Sequence, residues 1–287
     1  MADDQPAGGP VTSTTVPPRS DLGLRVVSSL VLAPLALGAA YLGGWMFAAF
    51  WGIAAIGVLV EWGRIVGEAR RAGVMIAGVL ALAAATILAA QRHCDLALLA
   101  IGIGMVAATA LATGGRRVWN AAGVAYAGAI AVAPIILRAD STLGLTAVVV
   151  IFAVVWATDI LGYCVGRVIG GAKLAASISP KKTWSGSIGG TLGAVLAMLA
   201  IAAYAHLQNL AILGFLAVIL SVASQAGDLC ESAIKRRFGV KDASHIIPGH
   251  GGLMDRLDGF VAAASLAAII GVARGGFDAA GRGLLTW

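Results

Sequence analysis

Nine runs of almost unbroken apolar residues constrain this chain more than any other feature. They lie at 24–42, 45–60, 73–90, 96–113, 119–137, 143–161, 187–205, 210–227 and 259–273. A helix crosses a bilayer with roughly 20 mostly apolar residues, and backbone groups in lipid are satisfied only inside helices or closed barrels. The runs are uniformly apolar rather than alternating, which argues against barrel strands. The second and ninth are short and extend by a few residues at their ends. The predicted fold class is therefore all-α, a polytopic transmembrane helical bundle of nine spans.

Composition agrees. Charged residues make up 12% of the chain and the mean hydropathy is +0.91, whereas a soluble domain carries about 25% charged residues. So few polar groups cannot cover a water-facing surface, and lipid must be the solvent for most of it.

Nine spans put the termini on opposite sides, and the basic residues divide accordingly. Sixteen of the 20 Lys and Arg fall on the side of the N-terminus, and only Arg92, Arg138, Arg274 and Arg282 on the other. Basic residues collect on the cytoplasmic side, so the N-terminus is predicted to be cytoplasmic and the protein to sit in the inner, or plasma, membrane. Topology thereby accounts for the net charge of +6, and no nucleic-acid partner is expected. Residues 1–22 read as a disordered cytoplasmic tail, polar, rich in Pro, Gly, Ser and Thr, and led by Asp3 and Asp4 instead of a basic signal-peptide start. Cys94, Cys164 and Cys230 show no paired or metal-binding spacing and are expected as free thiols packed like small hydrophobes. Gly189 and Gly193 are spaced to let helices approach closely.

The chain organises as N-terminal transmembrane helices over 23–140 and a second transmembrane region over 141–287. The second carries two long polar cytoplasmic loops, 162–186 and 228–258. Asp159, Asp228, Glu231, Asp242, Asp255 and Asp258 all lie at or near the cytoplasmic ends of its spans, and ionisable groups at membrane depth mark function. Asp228 with Glu231, and Asp255 with Asp258, are three apart, which puts each pair on one helix face. Such pairs suit Mg²⁺, which takes few carboxylates and adds phosphate oxygens; they suit ion pairs with Lys235, Arg236 and Arg256 equally well.

Between the pairs, Lys235, Arg236, Arg237 and Lys241 form a cationic cluster fit for phosphate oxygens or for anionic lipid. Pro248-Gly249-His250-Gly251-Gly252 frees the backbone for tight turns and exposes N–H groups to anions. His250 can donate to a phosphate, His93 and His206 read as satisfied polar residues, and His245 fits either role. The other loop carries Ser179, Lys181, Lys182 and Thr183 beside Trp184 and Gly186, again suited to a polyphosphate. No Walker A pattern is present.

The run from Ser232 to Asp258, with Lys235-Arg236, Lys241-Asp242, His250-Gly251-Gly252 and Asp255-Arg256-Leu257-Asp258, resembles the C-terminal signature of phosphatidate cytidylyltransferases. Asp159, Gly162-Tyr163, Gly166-Arg167 and the Ser179–Trp184 segment look like the same family, while Ser185 stands where an acidic residue is expected. The resemblance is close over roughly 155–260. It implies transfer of CMP from CTP to phosphatidic acid, giving CDP-diacylglycerol and pyrophosphate. It also implies Mg²⁺ with a potassium ion in the site, a homodimer among membrane lipids, and an active site facing the cytoplasm. On that resemblance Asp228 and Asp255 ligate metal, joined by Asp258, Glu231 and Asp159. Lys235, Arg236, Lys241, Arg256 and His250, with Ser179, Lys181, Lys182, Thr183, Gly251 and Gly252, hold nucleotide and pyrophosphate. The acid array of CDP-alcohol phosphatidyltransferases is missing from the sequence. A transporter, which would need charges along a path through the bilayer, fits poorly with charges gathered on one face.

Overall fold

The structure, a computed structural model, describes residues 21–244 and 251–287. The predicted tail, apart from its last two positions, and His245 and His250 lie outside the described residues. Within them nine long helices coincide with the nine predicted runs: α1 (Asp21–Leu42), α2 (Gly44–Val66), α3 (Ala72–Ala90), α4 (Cys94–Leu111), α5 (Arg117–Arg138), α6 (Gly144–Ile169), α7 (Trp184–Tyr204), α8 (Leu210–Arg237) and α9 (Met254–Gly275). Eight of these are long and apolar enough to cross a membrane; α1 adds a shorter apolar helix, Val31–Leu42.

Two stretches expected as loops are largely ordered into regular structure. Residues 162–169 continue α6, and 228–237 continue α8 well past their apolar ends. Helical hydrogen bonds run along the backbone and do not stop where the side chains turn polar, so hydropathy alone ends these helices too early. The rest of the first loop is an antiparallel hairpin of β1 (Lys173–Ala175) and β2 (Ser179–Thr183), with Lys173 opposite Thr183. A short helix, α10 (Ala280–Leu285), follows α9.

The bundle centre is aromatic. Trp51 of α2 stacks on Phe260 of α9 with centroids 4.7 Å apart, and Phe152 of α6 stacks on Phe260 at 5.2 Å. Each such pair contributes about 0.5–1.5 kcal/mol beyond its buried area, and together they bind α2, α6 and α9. Helices α6 and α7 pack through glycines: a Cβ on Gly190 would lie 2.5 Å from the Thr158 carbonyl oxygen, and one on Gly186 2.6 Å from that of Gly162. Gly189 and Gly193 serve the same contact, facing Val165 and Leu161. No disulfide links the three cysteines; Cys94 is buried, but Cys164 and Cys230 are exposed, unlike the packed thiols expected.

Long-range contacts separate the ends of the bundle. At one end Arg116 donates to the Gly67 carbonyl (2.9 Å), Trp119 meets Phe238 edge-on at 5.0 Å, and Lys182 pairs with Asp228. At the other, Arg138 Nε donates to the Ala40 carbonyl at 2.6 Å and Asp140 anchors α10. The buried Asp140 carboxylate accepts from the N–H groups of Arg282 (2.7 Å), Thr142 (2.8 Å) and Leu143 (3.2 Å), and from Arg282 Nε at 3.2 Å. Burial pushes this carboxyl up, but those hydrogen bonds outweigh it and hold it below the usual carboxylate range.

Candidate active site

Four elements converge on one cleft: the end of α6, the β-hairpin with the start of α7, the end of α8, and the start of α9. The cavity measures about 580 Å³, and its lining includes Asp159, Asp228, Asp255 and Asp258 with Lys173, Lys181, Lys182, Arg167 and Arg256. Residues from both expected loops therefore meet across one space, and Thr183 lines it too.

The α8 and α9 carboxylates are already engaged. Asp228 pairs with Lys182 across the cleft. Asp255 Oδ1 accepts from Lys235 Nζ at 2.5 Å, and Oδ2 accepts from the N–H groups of Gly252 (2.8 Å) and Ala243 (3.0 Å). Lys235 Nζ also lies 2.7 Å from Glu231 Oε2. A buried carboxylate needs such partners, since stripping its hydration without them costs several kcal/mol. Gly251 adopts φ +80°, and a Cβ there would stand 2.9 Å from Asp255 Oδ2. The tight turn that aims the Gly252 N–H at Asp255 accordingly requires glycine.

Not every predicted residue reaches the cleft. Glu231 is fully buried beside Lys235 and does not line it; Arg236 and Lys241 are exposed outside it, and the half-buried Ser179 and Gly251 and the buried Gly252 flank it without lining it. Arg236 reaches toward the Val240 carbonyl at 3.4 Å, and Arg237 stacks over Trp119 at 5.4 Å. Ser185 donates to the Gly170 carbonyl and lies 3.0 Å from Thr183 Oγ1, while Thr183 Oγ1 accepts from the Gly186 N–H at 3.1 Å and caps α7. At this position the serine closes the hairpin onto α6.

Several residues in and around the cleft lie outside the expected set of site residues. Gln225 accepts from Ser187 Oγ at 2.5 Å and donates to Thr191 (3.1 Å) and Ser221 (3.2 Å), while Ser221 lies 2.9 Å from Thr158. This uncharged network joins α6, α7 and α8 beneath Asp228, one helical turn away. Tyr163 and Arg167, 2.6 Å apart, form part of the wall. Glu61 of α2 is wholly buried and accepts from three donors of the α8–α9 connection. Its signal was present in the sequence, as an acid inside an apolar span, but its partners lie some 190 positions away in the chain.

Among the described residues, no three His, Cys, Asp or Glu side chains stand close enough to cage a metal alone. Mg²⁺ takes one or two carboxylates and completes its shell with water and substrate phosphates, and Asp228 and Asp255 on the cleft wall are carboxylates of that kind.

A membrane helical bundle whose cleft combines acids with a ring of cations suits a phosphorus-transfer enzyme, and comparison agrees: the chain belongs to the cytidylyltransferase family, whose model matches residues 23–273. Among its relatives, the phosphatidate cytidylyltransferase of Brucella abortus biovar 1 is 38% identical over 255 residues, covering 88% of this chain and 94% of that protein. Those of Staphylococcus epidermidis and Rickettsia typhi are 44% and 39% identical over 119 and 117 residues, covering 41% and 38% of this chain and 46% and 51% of their own lengths.

Proposed function

We propose that this protein transfers CMP from CTP to phosphatidic acid, producing CDP-diacylglycerol and pyrophosphate. One observation carries the reading: lysines of the hairpin and acids of α8 and α9, distant in sequence, face each other across a single cleft at one end of a membrane bundle. A soluble nucleotide and a lipid headgroup can meet only at such a boundary. The matched family and the names of the relatives support the same chemistry.

In the reaction an oxygen of the lipid phosphate attacks the α-phosphorus of CTP, a new P–O bond forms, and the bond to the departing pyrophosphate breaks. The attacking oxygen is already an anion, so no strong general base is required. Catalysis then rests on positioning and on neutralising phosphate charge. Lys181, Lys182, Lys173, Arg167 and Arg256 supply cations on the cleft walls. Lys182 can exchange Asp228 for a phosphate oxygen, because the pair is half-exposed in the cleft and water there screens it in part.

Asp228 and Asp255 would hold Mg²⁺, with Asp159 and Asp258 facing the same space and a potassium ion as a further occupant. When bound, the cation offsets the charge of the triphosphate. Glu231 acts on the cleft through Lys235. The sixteen-to-four division of basic residues supports a cleft facing the cytoplasm, where CTP is found. A homodimer and an inner-membrane location complete the reading.

The test supplies purified protein with phosphatidic acid, Mg²⁺ and CTP labelled on either the α- or the γ-phosphate. The α-label should enter the lipid and the γ-label should leave in pyrophosphate. A lipid carrying the γ-label would indicate a kinase, and an unlabelled lipid in both arms would refute the proposal.

A further inference from the structure

We infer that Glu61, on α2 of the N-terminal half, is a positioning residue for the catalytic turn, and that with Trp62 it clamps the α8–α9 connection at both ends. The inference rests on the cytidylyltransferase reading for its effect on turnover, but the clamp itself is a matter of geometry.

Glu61 is 0% exposed. Its Oε1 accepts from Ser244 Oγ at 2.5 Å and from the Leu253 N–H at 2.9 Å, and its Oε2 accepts from the Met254 N–H at 2.7 Å. Leu253 and Met254 open α9, and the first N–H groups of any helix have no partner within it. No side chain of α9's own sequence caps them. An anion from another helix takes that role, at the end of the helix dipole where negative charge is favoured. The fit leaves no slack: a Cβ on Gly252 would stand 2.8 Å from Glu61 Oε2.

The next residue holds the far end of the same connection. Trp62 Nε1 donates to the Trp119 carbonyl at 2.8 Å, and Trp119 packs edge-on against Phe238 with Arg237 over its ring. Phe238 follows α8 directly, just as Met254 begins α9. Two adjacent side chains of α2 therefore govern where the connection leaves one helix and enters the next.

The consequence falls on Asp255. Its Oδ2 accepts the Gly252 N–H, and Gly252 is the neighbour of the Leu253 that Glu61 holds. If Glu61 releases Leu253 and Met254, the turn that fixes Asp255 and Arg256 in the cleft loses its anchor. Displacement of a catalytic group by about 1 Å can cost on the order of 100-fold in rate.

Glu61→Gln is the informative variant. Whichever way the amide is turned, its NH₂ faces one of the two backbone N–H groups, so one donor loses its acceptor. Three quantities are read on purified protein: elution and thermal midpoint, kcat and KM for CTP, and amide hydrogen exchange over 251–255. We expect a folded protein whose kcat falls on the order of 10- to 100-fold with KM for CTP nearly unchanged, and whose amides at 251–255 exchange faster. A purely structural Glu61 would lower the amount of folded enzyme but leave kcat per folded molecule within twofold. That result, or unchanged exchange at 251–255, overturns the inference. Should Glu61→Gln fail to fold, Ser244→Ala removes one of the three donors and is read in the same way, with a several-fold loss of kcat expected and none overturning the inference. A parent enzyme that forms no cytidine-bearing lipid would refute the proposed function, while the exchange measurement would still decide the clamp.

Discussion

Lys235 Nζ donates to Asp255 Oδ1 at 2.5 Å, joining the last turn of α8 to the first turn of α9. The same ammonium lies 2.7 Å from Glu231, so a single cation neutralises two buried carboxylates. Through Lys235 the charge on α8 fixes the position of an acid on α9.

Asp255→Asn should therefore fold and fail to turn over. Glu231 still neutralises Lys235, and the amide keeps an oxygen for the Gly252 N–H. Loss of the anion should lower Mg²⁺-dependent activity by about 100-fold or more. Helicity, elution and the rate of CMP transfer across a Mg²⁺ titration check this, and full activity would remove Asp255 from the metal site.

The two hairpin lysines should behave differently. Lys181 is exposed on the cleft wall, whereas Lys182 pairs with Asp228. Lys181→Ala should raise KM for CTP on the order of tenfold, the loss expected for one charge-assisted contact, with kcat little changed. Lys182→Ala should lower kcat as well, since it leaves Asp228 without its partner. Steady-state kinetics in CTP separates the two outcomes.

Chelation should abolish transfer without loosening the fold. The carboxylates of α8 and α9 are held by lysines and backbone N–H groups, so EDTA should leave the thermal midpoint in place, and added Mg²⁺ should restore activity. A large drop in the midpoint would mean that a cation is part of the folded structure.

Gln225→Leu should cost stability. It strips hydrogen-bond partners from Ser187, Thr191 and Ser221 between α7 and α8. Interhelical hydrogen bonds in membranes contribute about 0.6 kcal/mol each on average, so a loss of about 1–2 kcal/mol is expected in a denaturant or thermal titration.

The far end of the bundle supplies a pH test. Asp140 titrates below its ordinary value because N–H donors outweigh the effect of its burial. A depressed carboxyl contributes stability that is fully present above the unfolded value of about 3.9 and is lost as pH falls through the folded value. Acidification below about pH 4 should therefore loosen α10, and Asp140→Asn should lower the thermal midpoint at pH 7 while flattening its fall in that acid range.

The sequence by itself determined the solvent, the helices and the chemistry. Apolar runs of bilayer length leave no fold but a helical bundle, and all nine coincide with helices. The Ser232–Asp258 signature named Asp255, Arg256 and Asp258, and the other loop segment named Lys181, Lys182 and Thr183, all of which line the cleft, because spacing along α9 and along β2 places those groups at one end of the bundle. Only the tertiary structure decided which cation meets which acid, that Glu231 lies behind Lys235, and that Ser185 closes the hairpin. It also showed that Glu61 of α2 bonds to Ser244, Leu253 and Met254 in the second transmembrane region. Glu61 and Met254 are linked by packing between helices, and such a contact depends on three-dimensional register that no local spacing encodes.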